Sequence, residues 1–357
     1  MTNNNGFALQ QVNRRAGIGM HFSSLYGAYG IGDIADSALS FVDKLHDMGI
    51  GVWQFLPTGP TAYGDSPYQP LSAFANNEML IGIEPLLDLG LLNEAEVAPL
   101  TTLPADRVEY GSLIPLKKAL IELAAERFSL HASCALKAEY DAFLSQHNDA
   151  WLHDYALYRV IKSMHDEQSW QSWDKPLADR DGVALQKLSS QKALQIAAIK
   201  VAQFLFSQQW QRLQAHATAK GVTLFGDMPI YIALDSSDAW ACPEMLRFDE
   251  LGLPTHVSGV PPDYFSEDGQ LWGNPLYDWD YHEKTHYQWW INRIQHSLAM
   301  MDTIKIDHFR GFESYWSVPY GAEHARHGTW EAGPANALFA AIRSKLGSVS
   351  IVAENLG

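Results

Sequence analysis

A chain of 357 residues, 47% apolar and 18% charged, has the material for one large globular core or two ordinary ones and is not a disordered polymer. Its net charge of −16 weighs against nucleic acid as a partner and says nothing against a neutral ligand. Two cysteines, Cys134 and Cys242, make no disulfide framework, the start Met1–Gly6 lacks an apolar signal core, and no apolar run reaches membrane-spanning length, so a cytoplasmic protein without a membrane partner is expected.

In chain order, residues 16–22 read as a short strand, and the Gly-punctuated loop 23–32 lacks the G-x-G-x-x-G order of a nucleotide fingerprint. Asp33 can cap a helix whose apolar positions Ile34, Ala38, Phe41, Val42 and Leu45 follow helical spacing up to Gly49. Val52–Leu56 is a second strand, so strand, helix and strand form a βαβ unit and predict a parallel sheet. The loop after it, Tyr63-Gly64-Asp65-Ser66-Pro67-Tyr68-Gln69, crowds hydroxyls and amides into seven residues. Such a loop suits polyol binding, or it is an ordinary turn whose tyrosines pack on the core.

Residues 113–134, 139–146, 150–165 and 185–220 read as helices, with a loop at 172–176. That is too much helix for one crossover, so a helical insertion is placed at about 86–190. Val222–Phe225 is the third strand, followed by Gly226-Asp227-Met228-Pro229. A second insertion, about 230–300, holds the stretch 259–275, whose prolines and glycines disfavour regular structure and predict a lid or binding loop. After a helix at 287–301, Thr303-Ile304-Lys305-Ile306-Asp307 alternates as a fourth strand; a helix at 334–346 leads to a fifth strand, 349–353, with Glu354 at its end.

Asp227, Asp307 and Glu354 thus follow three successive strands. Each alone is well explained as a helix cap. Together, at the C-terminal ends of barrel strands, two of them can face each other as retaining glycoside chemistry requires, one as nucleophile and one as acid/base. Lys305 and His308 beside Asp307 are expected to keep it ionised and so suit it to be the nucleophile. Glu354, after an apolar strand, suits the acid whose pKa is raised. The acids lack the close spacing of a metal site, and no metal is expected.

These motifs resemble the amylomaltases, 4-α-glucanotransferases of the wider α-amylase clan. The resemblance runs from about Ala16 to the last residue, on the Tyr63–Gln69 loop, Gly226–Pro229, Gly259–Phe265, Trp272–Pro275, Ile306–Gly311 and Ala353–Gly357. It implies an α/β fold, a (β/α)8 barrel, of which about five strands lie in this chain. It also implies cleavage of an α-1,4-glucan donor through a covalent glycosyl-enzyme, with transfer to the 4-hydroxyl of glucose or a maltooligosaccharide, and no cofactor. By the same resemblance Asp307 matches the nucleophile and Glu354 the acid/base. Tyr63, Ser66, Tyr68, Asp227, Gln270, Trp272 and Asn274 match sugar contacts, and 259–275 matches the lid; Lys305 and His308 flank the nucleophile. An α-glucan hydrolase, or a glucan-binding fragment without turnover, are the competing readings.

Two departures from the family pattern carry expectations of their own. Lys305 stands where the family has Arg, and a mobile point charge is expected to orient Asp307 less well than a planar fork. The family's third acid, in a His-Asp pair after the seventh strand, has no counterpart before Gly357. The chain is therefore expected to be a piece of a longer barrel and inactive as it stands.

Overall fold

The computed structural model describes residues 14–62, 65–264 and 266–354. Among them the strands are β1 (Gly17–Gly19), β2 (Val52–Phe55), β3 (Thr223–Pro229), β4 (His256–Val260), β5 (Gln270–Pro275), β6 (Thr303–Asp307), β7 (Ser314–Pro319), β8 (Thr329–Ala332) and β9 (Ile351–Ala353). One sheet is β1-β2-β3-β6-β9, parallel throughout. Its strands pair in the order the chain makes them. A doubly wound sheet would reverse its direction of growth partway, whereas a (β/α)8 barrel adds each strand on the same side. The sheet is therefore five consecutive strands of such a barrel.

Alternation decides which side chains reach the cleft. Trp53 and Phe55 turn outward and pack with Phe22 and Trp210, with ring centroids 4.7 Å (Phe22–Trp53) and 5.6 Å (Phe55–Trp210) apart. All four are buried. Removing a ring such as Phe22 would cost about 3–5 kcal/mol, transfer and cavity terms together. On β6 the outward residues are Ile304 and Ile306, both fully buried, which leaves Lys305 and Asp307 to face inward. The outer layer is built by α1 (Asp36–Asp47) and the long α6 (Ala193–Ala219). Between β2 and β3 the chain also makes α2 (Tyr110–His131), α3 (Cys134–His147), α4 (His153–Met164) and α5 (Gly182–Gln191); α7 (Gln288–Met300) precedes β6 and α8 (Ala335–Leu346) precedes β9.

Four expectations change. The helix predicted over 185–220 breaks at Lys192 into α5 and α6, and the predicted loop 172–176 is partly helical over Lys175–Ala178, with Pro176 in the first turn where its missing N–H costs nothing. The third strand runs on to Pro229, so Asp227 lies within β3 rather than after it. The stretch 259–275 is not structureless: β4 and β5 are the two arms of a hairpin in a second, antiparallel sheet, β5-β4-β7-β8. Its glycines serve the pairing. A Cβ on Gly259 would sit 2.5 Å from Gln270 O, and Gly269 takes φ +67° at the turn. Because β7 begins directly after the loop that follows β6, this sheet is anchored on the strand that carries Asp307.

Candidate active site

Register brings the acids together. Asp227 on β3 is paired with Lys305 on β6, and Lys305 with Val352 on β9, two residues before Glu354. Lys305 Nζ then stands among three carboxylates, 3.1 Å from Asp227 Oδ2, 3.1 Å from Glu354 Oε1 and 3.9 Å from Asp307 Oδ1. Burial of Lys305 disfavours its charge, but Asp227 and Glu354 outweigh that and raise its pKa. The tyrosine of the hydroxyl-rich loop reaches the same group: Tyr68 OH donates to Asp227 Oδ2 at 3.0 Å. Asp227 is 4% exposed, and its Oδ1 has no protein partner. Desolvation raises its pKa despite the Lys305 contact.

Within this cluster Asp307 and Glu354 are coupled, and their pKa values are shifted in opposite directions. Asp307 is pushed up to about 7, by burial first and then by the hydrogen bond and charge of Glu354 and the charge of Asp227. Glu354 is pulled down: burial opposes this, but the Asp307 hydrogen bond, the His308 N–H and Lys305 prevail. The reason is geometric. His308 N–H donates to Glu354 Oε2 at 3.1 Å and Lys305 holds Oε1, whereas Asp307 has Lys305 only at 3.9 Å. Lys305 lowers the pKa of Asp307, as expected, but is the weakest of the influences on it. Asp307 is thus raised and Glu354 lowered, and the two acids titrate as a pair.

His308 adopts a left-handed conformation, φ 53° and ψ 46°, that aims its N–H at Glu354. Its ring meets Trp272 edge-on at 4.8 Å and is 6.5 Å from Tyr231; Nε2 is buried without a protein partner. Trp272 Nε1 donates to Gln270 Oε1 at 3.1 Å, and Gln69 Nε2 donates to Trp272 O at 3.3 Å. The loop after β2 and the hairpin therefore meet over the acids. Ser66 Oγ accepts from Tyr68 N–H at 3.4 Å, a local turn contact. Asn274 is buried and its Nδ2 donates to Ile232 O at 2.9 Å, so it pins β5 rather than reaching the cleft. Tyr63 lies outside the described residues.

Two contributors were not singled out from sequence. Tyr231 backs both Trp272 and His308, and Arg293 on α7, fully buried, donates to Pro229 O at 2.6 Å and Ile230 O at 3.0 Å, fixing the end of β3. Neither carries a local signal, since each acts through a partner some eighty or fewer residues away in sequence. Among the described residues no group of three or more His, Cys, Asp or Glu side chains could hold a metal ion.

Comparison with known proteins agrees with this fold. The family profile described as 4-alpha-glucanotransferase matches residues 20–357. A 4-alpha-glucanotransferase of Streptococcus pneumoniae is 42% identical over 346 residues, 96% of this chain and 68% of that protein. One of Thermus thermophilus is 42% identical over 347 residues, 97% of this chain and 68% of that protein. The amylomaltase of Streptococcus agalactiae, solved in complex with acarbose, superposes with a TM-score of 0.92 at 37% identity, covering 97% of this chain and 69% of that one. The Corynebacterium glutamicum amylomaltase, at 19% identity and a TM-score of 0.78, covers 96% of this chain and 48% of its own and shares the fold.

Proposed function

The chain belongs to the 4-alpha-glucanotransferase family, and on that premise we propose that Asp307 and Glu354 carry out the transfer by double displacement. Asp307 attacks the anomeric carbon of an α-1,4-glucan while Glu354 protonates the departing glycosidic oxygen. The glycosyl ester on Asp307 is then attacked by the 4-hydroxyl of glucose or a maltooligosaccharide, whose proton returns to Glu354. The observation that carries this reading is the convergence of Asp307, Glu354 and Asp227 on one cation, Lys305.

The starting protonation needs one internal step. With Asp307 raised and Glu354 lowered, the pair favours the proton on Asp307, and the chemistry requires it on Glu354. The two carboxyls are within hydrogen-bonding reach, so moving that proton across arms both at once. Asp227 Oδ1 and His308 Nε2, both buried and without protein partners, are proposed to bind sugar hydroxyls at the cleaved unit, with Tyr68, Trp272 and Gln270 forming the walls. Tyr63 and Ser66 are proposed to extend the loop side of that wall. The β4–β5 hairpin covers the acids and favours a sugar over water as acceptor. Residues of about 86–190 and 230–300 are read as insertions in one barrel domain. Among the described residues no helix is long and apolar enough to cross a membrane, both cysteines are free, and we place the reaction in the cytoplasm.

Incubation with maltotriose tests the reading. Glucose together with products longer than maltotriose is the expected outcome for the protein expressed from its complete reading frame. Glucose and maltose without longer products would make it a hydrolase instead.

A further inference from the structure

β1 brings a residue to the cleft that none of the site motifs includes. Its register with β2 is Gly17↔Val52 and Gly19↔Gln54, and that of β2 with β3 is Gln54↔Phe225. Phe225 in turn is paired with Thr303 on β6. Thr303 and Lys305 face inward, so Gly19, Gln54 and Phe225 belong to one inward tier. Two residues further along each strand, the next tier toward the C-terminal end reads His21, Leu56, Asp227 and Lys305, with Asp227↔Lys305 and Lys305↔Val352 directly paired. Leu56, in this tier, is 38% exposed.

The position of His21 is fixed on both sides. Met20 N–H donates to Gln54 O at 2.9 Å, Trp53 Nε1 donates to Met20 O at 2.8 Å, and Ser24 N–H donates to His21 O at 3.0 Å. The next residue, Phe22, turns the other way into the outer core at 0% exposure. Yet His21 Nδ1 is buried with no protein partner, which inside a well-tied segment is a costly arrangement. The backbone of Leu56 hydrogen-bonds the ring, so one ring nitrogen is held by the fold and Nδ1 is the polar atom left over.

We propose that His21 is a glucan-binding residue of the same cleft, its imidazole hydrogen-bonded to a hydroxyl of the bound chain from the β1 side, opposite Lys305. The inference rests on the glucan-transfer reading of the Asp307 site. With the ring N–H donated to the Leu56 backbone, the Nδ1 lone pair accepts a hydrogen bond from a sugar hydroxyl. Burial pushes the ring down to about 4, so it stays neutral over the working range and does not attract an anion.

The test uses His21→Ala and His21→Asn in the protein expressed from its complete reading frame, with maltoheptaose as substrate. Loss of one hydrogen bond in a sheltered site is expected to raise KM roughly tenfold with kcat changed less than about threefold, and Asn, which keeps a donor and an acceptor, is expected to recover part of it. The ¹⁵N shift of His21 Nδ1 is expected to move when maltoheptaose is added. An unchanged KM in His21→Ala, or a His21 signal unmoved at saturating maltoheptaose, overturns the proposal while leaving the transferase reading intact. Failure of the unsubstituted protein to bind or convert maltoheptaose would overturn both.

Discussion

Lys305 shows how a single side chain changes the division of labour around it. Sequence places it beside Asp307, two residues away on one face of a strand, and that proximity suggests a partner for the nucleophile. In the folded protein Nζ is 3.1 Å from Glu354 and Asp227 and 3.9 Å from Asp307. It therefore stands closer to Glu354 and Asp227 than to the residue it neighbours. Replacing it with Met should remove the charge that keeps Glu354 ionised in preference to Asp307. We expect kcat to fall on the order of 10²-fold or more, as for loss of a positioned charge in a sheltered site. The alkaline limb of the pH–rate profile, near pH 7 where the pair loses its shared proton, should move to higher pH because both carboxyls then hold protons more tightly. A Met variant with an unmoved alkaline limb would remove Lys305 from the network. None of this is legible from spacing alone, because a difference of 0.8 Å between neighbours decides it, and the backbone N–H of His308 tips the same balance.

At the scale of elements, the parallel sheet was legible and the antiparallel one was not. β2, β6 and β9 announce themselves by apolar alternation or short apolar runs bounded by Gly, Pro or a polar residue, and the inward acids follow from the alternation. β4, β5 and β7 each carry a Gly or Pro, and all four strands of this sheet, β8 included, take their extended form from pairing with one another, a tertiary cause that local propensity does not contain. The β4–β5 hairpin relies on close backbone approach at Gly259, where a side chain would meet Gln270 O at 2.5 Å. Gly259→Val should push the arms apart and shift Trp272 and Gln270 away from the acids. The expected result is a rise of about tenfold in the ratio of hydrolysis to transfer on maltotriose, since water gains access to the glycosyl-enzyme. An unchanged product ratio would mean that the hairpin does not govern the choice of acceptor.

The whole molecule carries the cost of assembling this site. Asp307 binds its proton more tightly when folded, at about 7, than a free aspartate does at about 3.9. The folded state is thus favoured below the unfolded value, and that advantage is lost as pH rises toward 7, above which the loss is complete. Glu354 contributes in the opposite sense and stays in place. Asp307→Asn should therefore raise the melting temperature by little near pH 4 and by a few degrees above pH 7. The gain is limited because the carboxyl is 37% exposed and solvent screens it. Thermal unfolding at the two pH values measures it, and equal gains at both would show that Asp307 is not perturbed.

The claim on which everything else depends is that Asp307 forms the covalent bond to the sugar. A Glu354→Gln variant supplied with α-maltosyl fluoride, whose leaving group needs no protonation, should form the glycosyl-enzyme and release it slowly. Peptide mass spectrometry of the trapped protein is expected to find one maltosyl adduct, on the peptide that contains Asp307. An adduct on Asp227 or any other carboxylate, or turnover of the fluoride without any adduct at Asp307, would contradict the account.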